Sequence, residues 1–312
     1  MSGPPAPPTR SIQIIANGKV AGDERLRAAV QAVRAHGHDV RVAVTWESGD
    51  SARLAREGMD KGAAAIVAAG GDGTINEVIG GMAEAGLPAT VPVGILPLGT
   101  ANDFAHGCGL PIDDLTAGLL AIAESAAKRI DLGRVNGRTF VNVATGGFGT
   151  QVTAETPPEV KRLLGHVAYL VAGVASIGKL QARSISVTAS DFSWQGNTYV
   201  FAVGNGRQAG GGFQLCERAT LDDGLLDLMI VPDVPYDQVL ALLRDLLGPR
   251  PRTAYDCVIY RQVPWVEISA DGGLYMNLDG EPLRADMFRF DAIPGAISCF
   301  LPAGSPMIRA DG

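Results

Sequence analysis

Asp72 is an acid set among glycines, in the run Ala68-Ala69-Gly70-Gly71-Asp72-Gly73-Thr74-Ile75-Asn76-Glu77-Val78. The apolar stretch Ala63–Ala69 predicts a short buried strand, and Ile75, Val78, Ile79 and Met82 recur at helical spacing. Strand, glycine turn and helix start together present backbone N–H groups and a helix N-terminus to an anion, typically a phosphate. The glycines can take backbone angles closed to other residues and let a ligand come close. Thr74 is the expected N-cap, with Glu77 as its capping-box partner. The run is not a Walker A loop, because no Gly-Lys-Ser/Thr follows. It is not a full dinucleotide fingerprint either, because Asn76 stands at the third glycine position. An ordinary tight strand-to-helix turn has the same look. Asp72 is the odd residue, since an acid facing phosphate is unfavourable unless a cation or a set of donors neutralises it. The chemistry this predicts is a nucleotide phosphate handled together with a cation.

The elements around it form a regular series. Ser11–Ala16 reads as a first strand, Asp23–His36 as an amphipathic helix stopped by Gly37, Val40–Val44 as a second strand ending at Thr45-Trp46, and Asp50–Met59 as a second helix closed by Gly62. This alternation predicts a parallel sheet with helices on both faces. Ligands bind such sheets beyond the carboxyl ends of the strands, so Thr45 and the Gly70–Thr74 turn share one rim. Pro92–Leu96 is the next strand, and Leu96-Pro97-Leu98-Gly99-Thr100-Ala101-Asn102-Asp103 brings a second glycine-containing turn to that rim. Asp103 stands on this second turn as Asp72 does on the first.

After a helix at Leu115–Glu124 the texture changes. Asn136-Gly137 is a hairpin signal between Ile130–Val135 and Thr139–Val143. Short strands are expected at Ile185–Ala189, Thr198–Val203, Leu225–Val231, Val263–Ala270, Leu274–Leu278, Met287–Ala292 and Ala296–Leu301, with a turn at Asp271-Gly272. Helices are expected at Pro158–Ile177 and Tyr236–Leu247. The organisation is therefore a disordered tail at 1–9, an α/β nucleotide-binding domain at 10–131, a β-rich domain at 132–302 whose last strands can return to the first, and a tail at 303–312. Glycine clusters at 142–149 and 204–212, Asp222-Asp223-Gly224, and Asn277-Leu278-Asp279-Gly280-Glu281-Pro282 read equally as turns or as ligand approaches.

Bulk properties exclude several classes. A net charge of −7 with no basic run argues against nucleic-acid binding and against permanent electrostatic attachment to an anionic membrane. No apolar run reaches the length of a membrane-spanning helix. Residues 1–9 lack a signal-peptide pattern, and four scattered cysteines suit reduced thiols in the cytoplasm. Gly173–Leu180 falls one residue short of a Walker A loop, with Leu180 where a hydroxyl is needed. His36 and His38 read as a solvated turn. The helix at 158–177 reads as core, with an acyl-chain wall or shallow membrane contact as the minority option.

Taken together, VTWESGDSAR (44–53), AGGDGTINEV (69–78), GILPLGTANDFA (94–105), NVATGGFGT (142–150), GNGRQAGGG (204–212), LDDGLLDL (221–228) and NLDGEPL (277–283) resemble the diacylglycerol-kinase-type lipid kinases, in that family's order and over almost the whole chain. The resemblance implies an N-terminal α/β domain of the NAD-kinase and diacylglycerol-kinase kind, a C-terminal β-sandwich, and an active site between them. It implies ATP as phosphoryl donor, Mg²⁺ (with Ca²⁺ as the other option at a structural site), and a lipid hydroxyl as acceptor, that of the membrane phospholipid phosphatidylglycerol ahead of diacylglycerol. ATP contacts are carried over to Thr45, to Gly71, Asp72, Gly73, Thr74, Ile75, Asn76 and Glu77, and to Thr100. The metal site falls on the Asp223 carboxylate with the backbone carbonyls of Thr220 and Leu225, and the general base on Glu281. Thr220 departs from the aliphatic residue expected there, and Ala69 from the first of three glycines. A cytoplasmic enzyme touching the inner membrane face transiently is the implied setting. Competing readings are a nucleotide kinase of the NAD-kinase kind, an ATP-binding regulatory module, and a dehydrogenase lacking its third glycine.

Overall fold

A computed structural model describes residues 9–87, 90–147, 182–235, 238, 256–279 and 281–309, with the Glu281 side chain outside the description. The chain divides into two compact units, Met1–Ile130 with Gly295–Pro306, and Asp131–Pro294 with Met307–Gly312.

The first unit alternates strands and helices: β1 (Ser11–Asn17), α1 (Glu24–Ala35), β2 (Asp39–Thr45), α2 (Asp50–Asp60), β3 (Ala65–Gly70), α3 (Asp72–Glu84), β4 (Val93–Pro97), α4 (Asp103–Cys108) and α5 (Leu115–Glu124). Asp23 caps α1 by accepting the N–H groups of Arg25 and Leu26, and Gly37 follows that helix at φ 91°. The strands run parallel in the order β4-β3-β1-β2. Cys299, late in the chain, adds a further parallel contact beside Val93. β3 is buried along its whole length, as a strand covered by helices on both faces must be. Ile12, Ile14, Val67, Leu96 and Leu119 lie in its core. The register sets Thr45 beside Asn17 and Gly70 beside Pro97, so β2, β3 and β4 end on one rim.

Thr74 is not the cap of α3. The helix starts at Asp72, its N-cap is Gly71, and no side chain caps it. Thr74 is buried instead, and a Cβ on Gly70 would lie 2.3 Å from its hydroxyl oxygen. Glu77 makes no capping box and meets the Ser51 hydroxyl at 3.4 Å. His38 is buried rather than solvated, its Nδ1 accepting the Arg10 N–H at 3.2 Å.

The second unit is antiparallel. β5 (Lys128–Val135) enters it and turns through Asn136 (φ 46°) and Gly137 (φ 86°) into β6 (Arg138–Phe140), the two-residue geometry that suits strand twist. β7 (Val143–Gly147), β8 (Arg183–Ala189), β9 (Ser193–Gly204), the short pair β10 (Gln208–Ala209) and β11 (Phe213–Gln214), β12 (Leu226–Pro232), β13 (Ile259–Val263), β14 (Trp265–Leu278) and β15 (Glu281–Cys299) follow. The order is β13-β12-β9-β7-β14-β15, with β8 pairing both β14 and β9. Phe140 packs edge-on to Phe290 at 6.2 Å in a core shared with Phe201, Leu228 and Ile268.

Asp271-Gly272 is not a hairpin turn. β14 continues through it with a register shift between Ser269 and Leu274, Gly272 and Gly273 taking φ of 78° and 88°. This is an irregularity of the bulge kind, and it joins two expected strands into one. β15 likewise joins the two strands expected at 287–292 and 296–301. Residues 303–309 are not a free tail: Met307 is buried, its carbonyl accepts the Leu221 N–H at 2.7 Å, and the Arg309 N–H reaches Asp222 at 3.1 Å. The helix expected at 158–177, the glycine-lysine stretch at 173–180, and the helix expected at 236–247 apart from Gln238 lie outside the described residues.

Candidate active-site elements

On the rim of the first unit, the two glycine turns lock together through backbone. The Leu98 N–H donates to the Gly70 carbonyl at 2.8 Å. Asn102, held at φ 50°, accepts the Gly99 N–H on its side-chain oxygen at 2.8 Å and returns an N–H to the Gly99 carbonyl at 3.0 Å. None of Gly70, Gly71, Gly73 or Gly99 has a positive φ. Three of these glycines are required by space rather than by conformation, because a Cβ on Gly70, Gly71 or Gly99 would meet Thr74 or the opposite glycine.

Asp72 also has a local partner. Its two carboxylate oxygens accept the N–H groups of Asp103 and Phe104, at 3.1 and 3.0 Å. The acid thus satisfies the first donors of α4, and protein N–H groups supply the neutralising contacts that the sequence left to a cation. Each oxygen keeps a further lone pair.

Gly73 is different from its neighbours. It is exposed, and a Cβ there would meet nothing within 4 Å. The first turn of α3, a helix of 13 residues without a side-chain cap, therefore opens outward at Gly73, the arrangement that receives an anion. Thr74 and Ile75 are buried; backbone N–H is what Thr74 can offer a ligand, while the Ile75 N–H is donated to the Gly71 carbonyl at 3.0 Å. Asn76 carries a buried Oδ1 with no hydrogen-bond partner. Thr100 is exposed beside Gly99, and Thr45 is half-buried at the end of β2. Just beyond it, Asp50 accepts the N–H groups of Trp46 and Glu47 at 2.7 and 3.1 Å. Arg53, together with these N–H groups, holds its carboxyl down at about 2.

In the second unit Asp223 draws its loop together. It accepts the Thr220 hydroxyl at 2.7 Å and the Leu225 N–H at 2.9 Å, so the three residues expected to hold a cation are hydrogen-bonded neighbours. The donors available are oxygens only, which suits Mg²⁺ or Ca²⁺ and not zinc. No cluster of three His, Cys, Asp or Glu side chains occurs among the described residues.

Two residues that sequence reasoning passed over tie this loop to the other motifs. Buried Asp131 accepts the Gly224 N–H at 2.6 Å, and its own N–H donates to the Leu221 carbonyl at 2.6 Å. Asn205, fully buried, donates to the carbonyls of Asp131 and Val141 at 3.2 and 2.9 Å. The Asn205 and Gly206 N–H groups meet the Asn142 carbonyl, and the Val141 N–H meets Asp279 at 3.2 Å. Asp279 (φ 47°) directly follows Leu278, which pairs with Glu281. Glu281 is placed in the sheet by its backbone pairing with Leu278. The sequence signal for this hub is partial: Asn205, Asp223 and Asp279 each stand beside glycine, whereas Asp131 and Asn142 do not.

Residues 11–135 match the family described as diacylglycerol kinase catalytic domain, and residues 142–301 match the YegS C-terminal NAD kinase β-sandwich-like domain. A Pseudomonas aeruginosa protein named "Probable lipid kinase YegS-like" is 46% identical over 298 residues, covering 96% of each chain. The protein of that name from Cronobacter sakazakii is 44% identical over 297 residues, 95% of this chain and 97% of its own. A solved diacylglycerol kinase structure from Bacillus anthracis superposes with a TM-score of 0.73 at 20% identity, over 95% of this chain and 98% of that one. That last likeness speaks to fold alone. No helix among the described residues is long and apolar enough to cross a membrane.

Proposed function

The chain belongs to the YegS-like lipid kinase family, and from that premise we propose that it transfers the γ-phosphoryl group of ATP to the hydroxyl of a membrane lipid, phosphatidylglycerol ahead of diacylglycerol. The observation that carries the donor half is the uncapped N-terminus of α3, open at Gly73 and walled by the Gly71–Gly99 contact. Backbone donors from Gly71 to Thr74 bind phosphate oxygens, while Thr45, Ile75, Asn76, Glu77 and Thr100 complete the nucleotide contacts. Phosphoryl transfer rests on positioning and charge stabilisation more than on covalent chemistry, which suits a site of rigid turns.

In the reaction the acceptor oxygen bonds to the γ-phosphorus as the bond to the bridging oxygen of ADP breaks. Glu281 accepts the hydroxyl proton, and a phosphorylated lipid and ADP leave. The Asp223 carboxylate, with the carbonyls of Thr220 and Leu225, would hold Mg²⁺ or Ca²⁺, which supplies charge neutralisation and order to the loop. Asp72 holds α4 against α3, and Asp103 begins α4.

The test is transfer of label from ATP, with Mg²⁺, to vesicles of phosphatidylglycerol or diacylglycerol, with NAD as a competing acceptor. Label in the lipid, highest with phosphatidylglycerol, and a loss of about 10²–10⁴-fold in Glu281→Gln are expected. Label in NAD alone overturns the lipid reading, and a fully active Glu281→Gln overturns the base assignment.

A further inference from the structure

The loop around Asp223 is held by its backbone, one peptide plane after another. A trans peptide sets its carbonyl and the following N–H in opposite directions, so a bond to either group aims the other. The plane between Thr220 and Leu221 carries the Thr220 carbonyl, and its Leu221 N–H donates to the Met307 carbonyl at 2.7 Å. The next plane is fixed at the Leu221 carbonyl, which accepts the Asp131 N–H at 2.6 Å. The plane after that is fixed at the Asp222 carbonyl, which accepts the Arg309 guanidinium. The fourth is fixed at the Gly224 N–H, which donates to the Asp131 carboxylate at 2.6 Å. Asp131 and residues 307–309 thus grip alternate planes of one loop.

Arg309 also separates the two neighbouring acids. Its backbone N–H donates to the Asp222 carboxylate at 3.1 and 3.2 Å, and its Nε lies 3.4 Å from the same group. Asp223 instead accepts from the Thr220 hydroxyl and the Leu225 N–H. An exposed ion pair alone contributes little. Arg309 does more than pair charges, because it binds the main chain and the side chain of one residue, and because Met307, two residues before it, is buried.

We propose that residues 307–309 are a positioning strap for the cation loop. Met307 aims the Thr220 carbonyl, and Arg309 takes Asp222, so that Asp223 is the carboxylate left for the ion. The strap rests on the reading of Thr220, Asp223 and Leu225 as a cation site. Groups that orient metal ligands without touching the metal change affinity about 10–100-fold when removed.

Calorimetric titration of the full chain with Mg²⁺ and with Ca²⁺, each alone and without nucleotide or lipid, tests it. Wild type should bind at least one of the two ions, and Asp223→Ala should abolish that binding. Arg309→Ala should weaken it at least about tenfold. Arg309→Lys, whose single ammonium lacks the guanidinium fork, should fall between. The losses in Asp222→Ala and Arg309→Ala should not add, since both remove one contact. Removing residues 307–312 should cost more than Arg309→Ala, because the Thr220 carbonyl then loses its aim as well. Circular dichroism checks each fold, and the single substitutions carry the test if the shortened chain does not fold. Wild-type affinity in folded Arg309→Ala, with binding still lost in Asp223→Ala, overturns the strap and leaves the cation site standing. A wild type that binds neither ion overturns the cation site and the strap with it.

Discussion

Gly71 and Gly99 meet backbone to backbone. A Cβ on Gly99 would lie 2.4 Å from the Gly71 Cα and 2.8 Å from the Asn102 side-chain oxygen. The Gly71 Cα is backbone and the Asn102 amide is tied to Gly99 by two hydrogen bonds, so Gly99→Ala must push the two turns apart. Overpacking of this kind costs about 1–3 kcal/mol. Thermal unfolding should show the loss, together with weakened ATP binding by calorimetry. Gly73→Ala is the contrasting variant. It has free space and a helical position, where alanine is favoured over glycine by up to about 1 kcal/mol. It should melt at or above the wild-type temperature and still bind ATP more weakly, because the added methyl stands where phosphate approaches. A Gly73→Ala protein with unchanged ATP affinity would remove Gly73 from the site.

Asp72 is expected to behave first as a cap. Asp72→Ala strands the N–H groups of Asp103 and Phe104 and should cost about 1–2 kcal/mol. Asp72→Asn keeps one acceptor oxygen and should recover part of that loss. Denaturant unfolding of the three proteins without nucleotide gives the ranking. Equal stability of Asp72→Ala and wild type would mean that these contacts contribute nothing.

The sequence made the local features readable and left the distant ones dark. Asn136-Gly137 was legible as a hairpin because the turn is decided by two adjacent residues with positive φ. Asp271-Gly272 carries the same signature, but Gly272 and Gly273 serve a register shift inside β14, and positive φ alone does not separate the two uses. The glycines at 70 and 71 were picked out as special for backbone freedom, and Gly99 only as part of a second turn. The actual reason is contact with Thr74 and with each other, and residues 71 and 99 are far apart in the chain. The acid at Asp72 looked as if it needed a cation because its donors sit 31 and 32 residues away. Asn205 was invisible for the same reason, since it binds carbonyls 74 and 64 residues distant. The family motifs mark where such contacts converge and do not say what each makes.

Asp227 sets a pH dependence with a defined sign. Its carboxyl is buried on β12, accepts the Tyr260 hydroxyl, and meets Gln262 Nε2 at 3.3 Å. Burial raises it to about 6, with the Tyr260 and Gln262 bonds opposing that rise. In the unfolded chain an aspartate titrates near 3.9. Between those values the folded state holds more protons than the unfolded one, so stability falls as pH rises from about 4 to about 6 and is level above. The full effect is on the order of 3 kcal/mol. Asp227→Asn has no proton to lose, so this contribution is absent from the variant and remains as the pH-dependent difference between the two proteins. Unfolding should be followed across that interval in chelator, which keeps the neighbouring Asp223 loop free of metal. The stability of Asp227→Asn relative to wild type should climb through the interval and plateau near neutrality. A difference that stays constant with pH would show that Asp227 is ionised in the folded protein throughout.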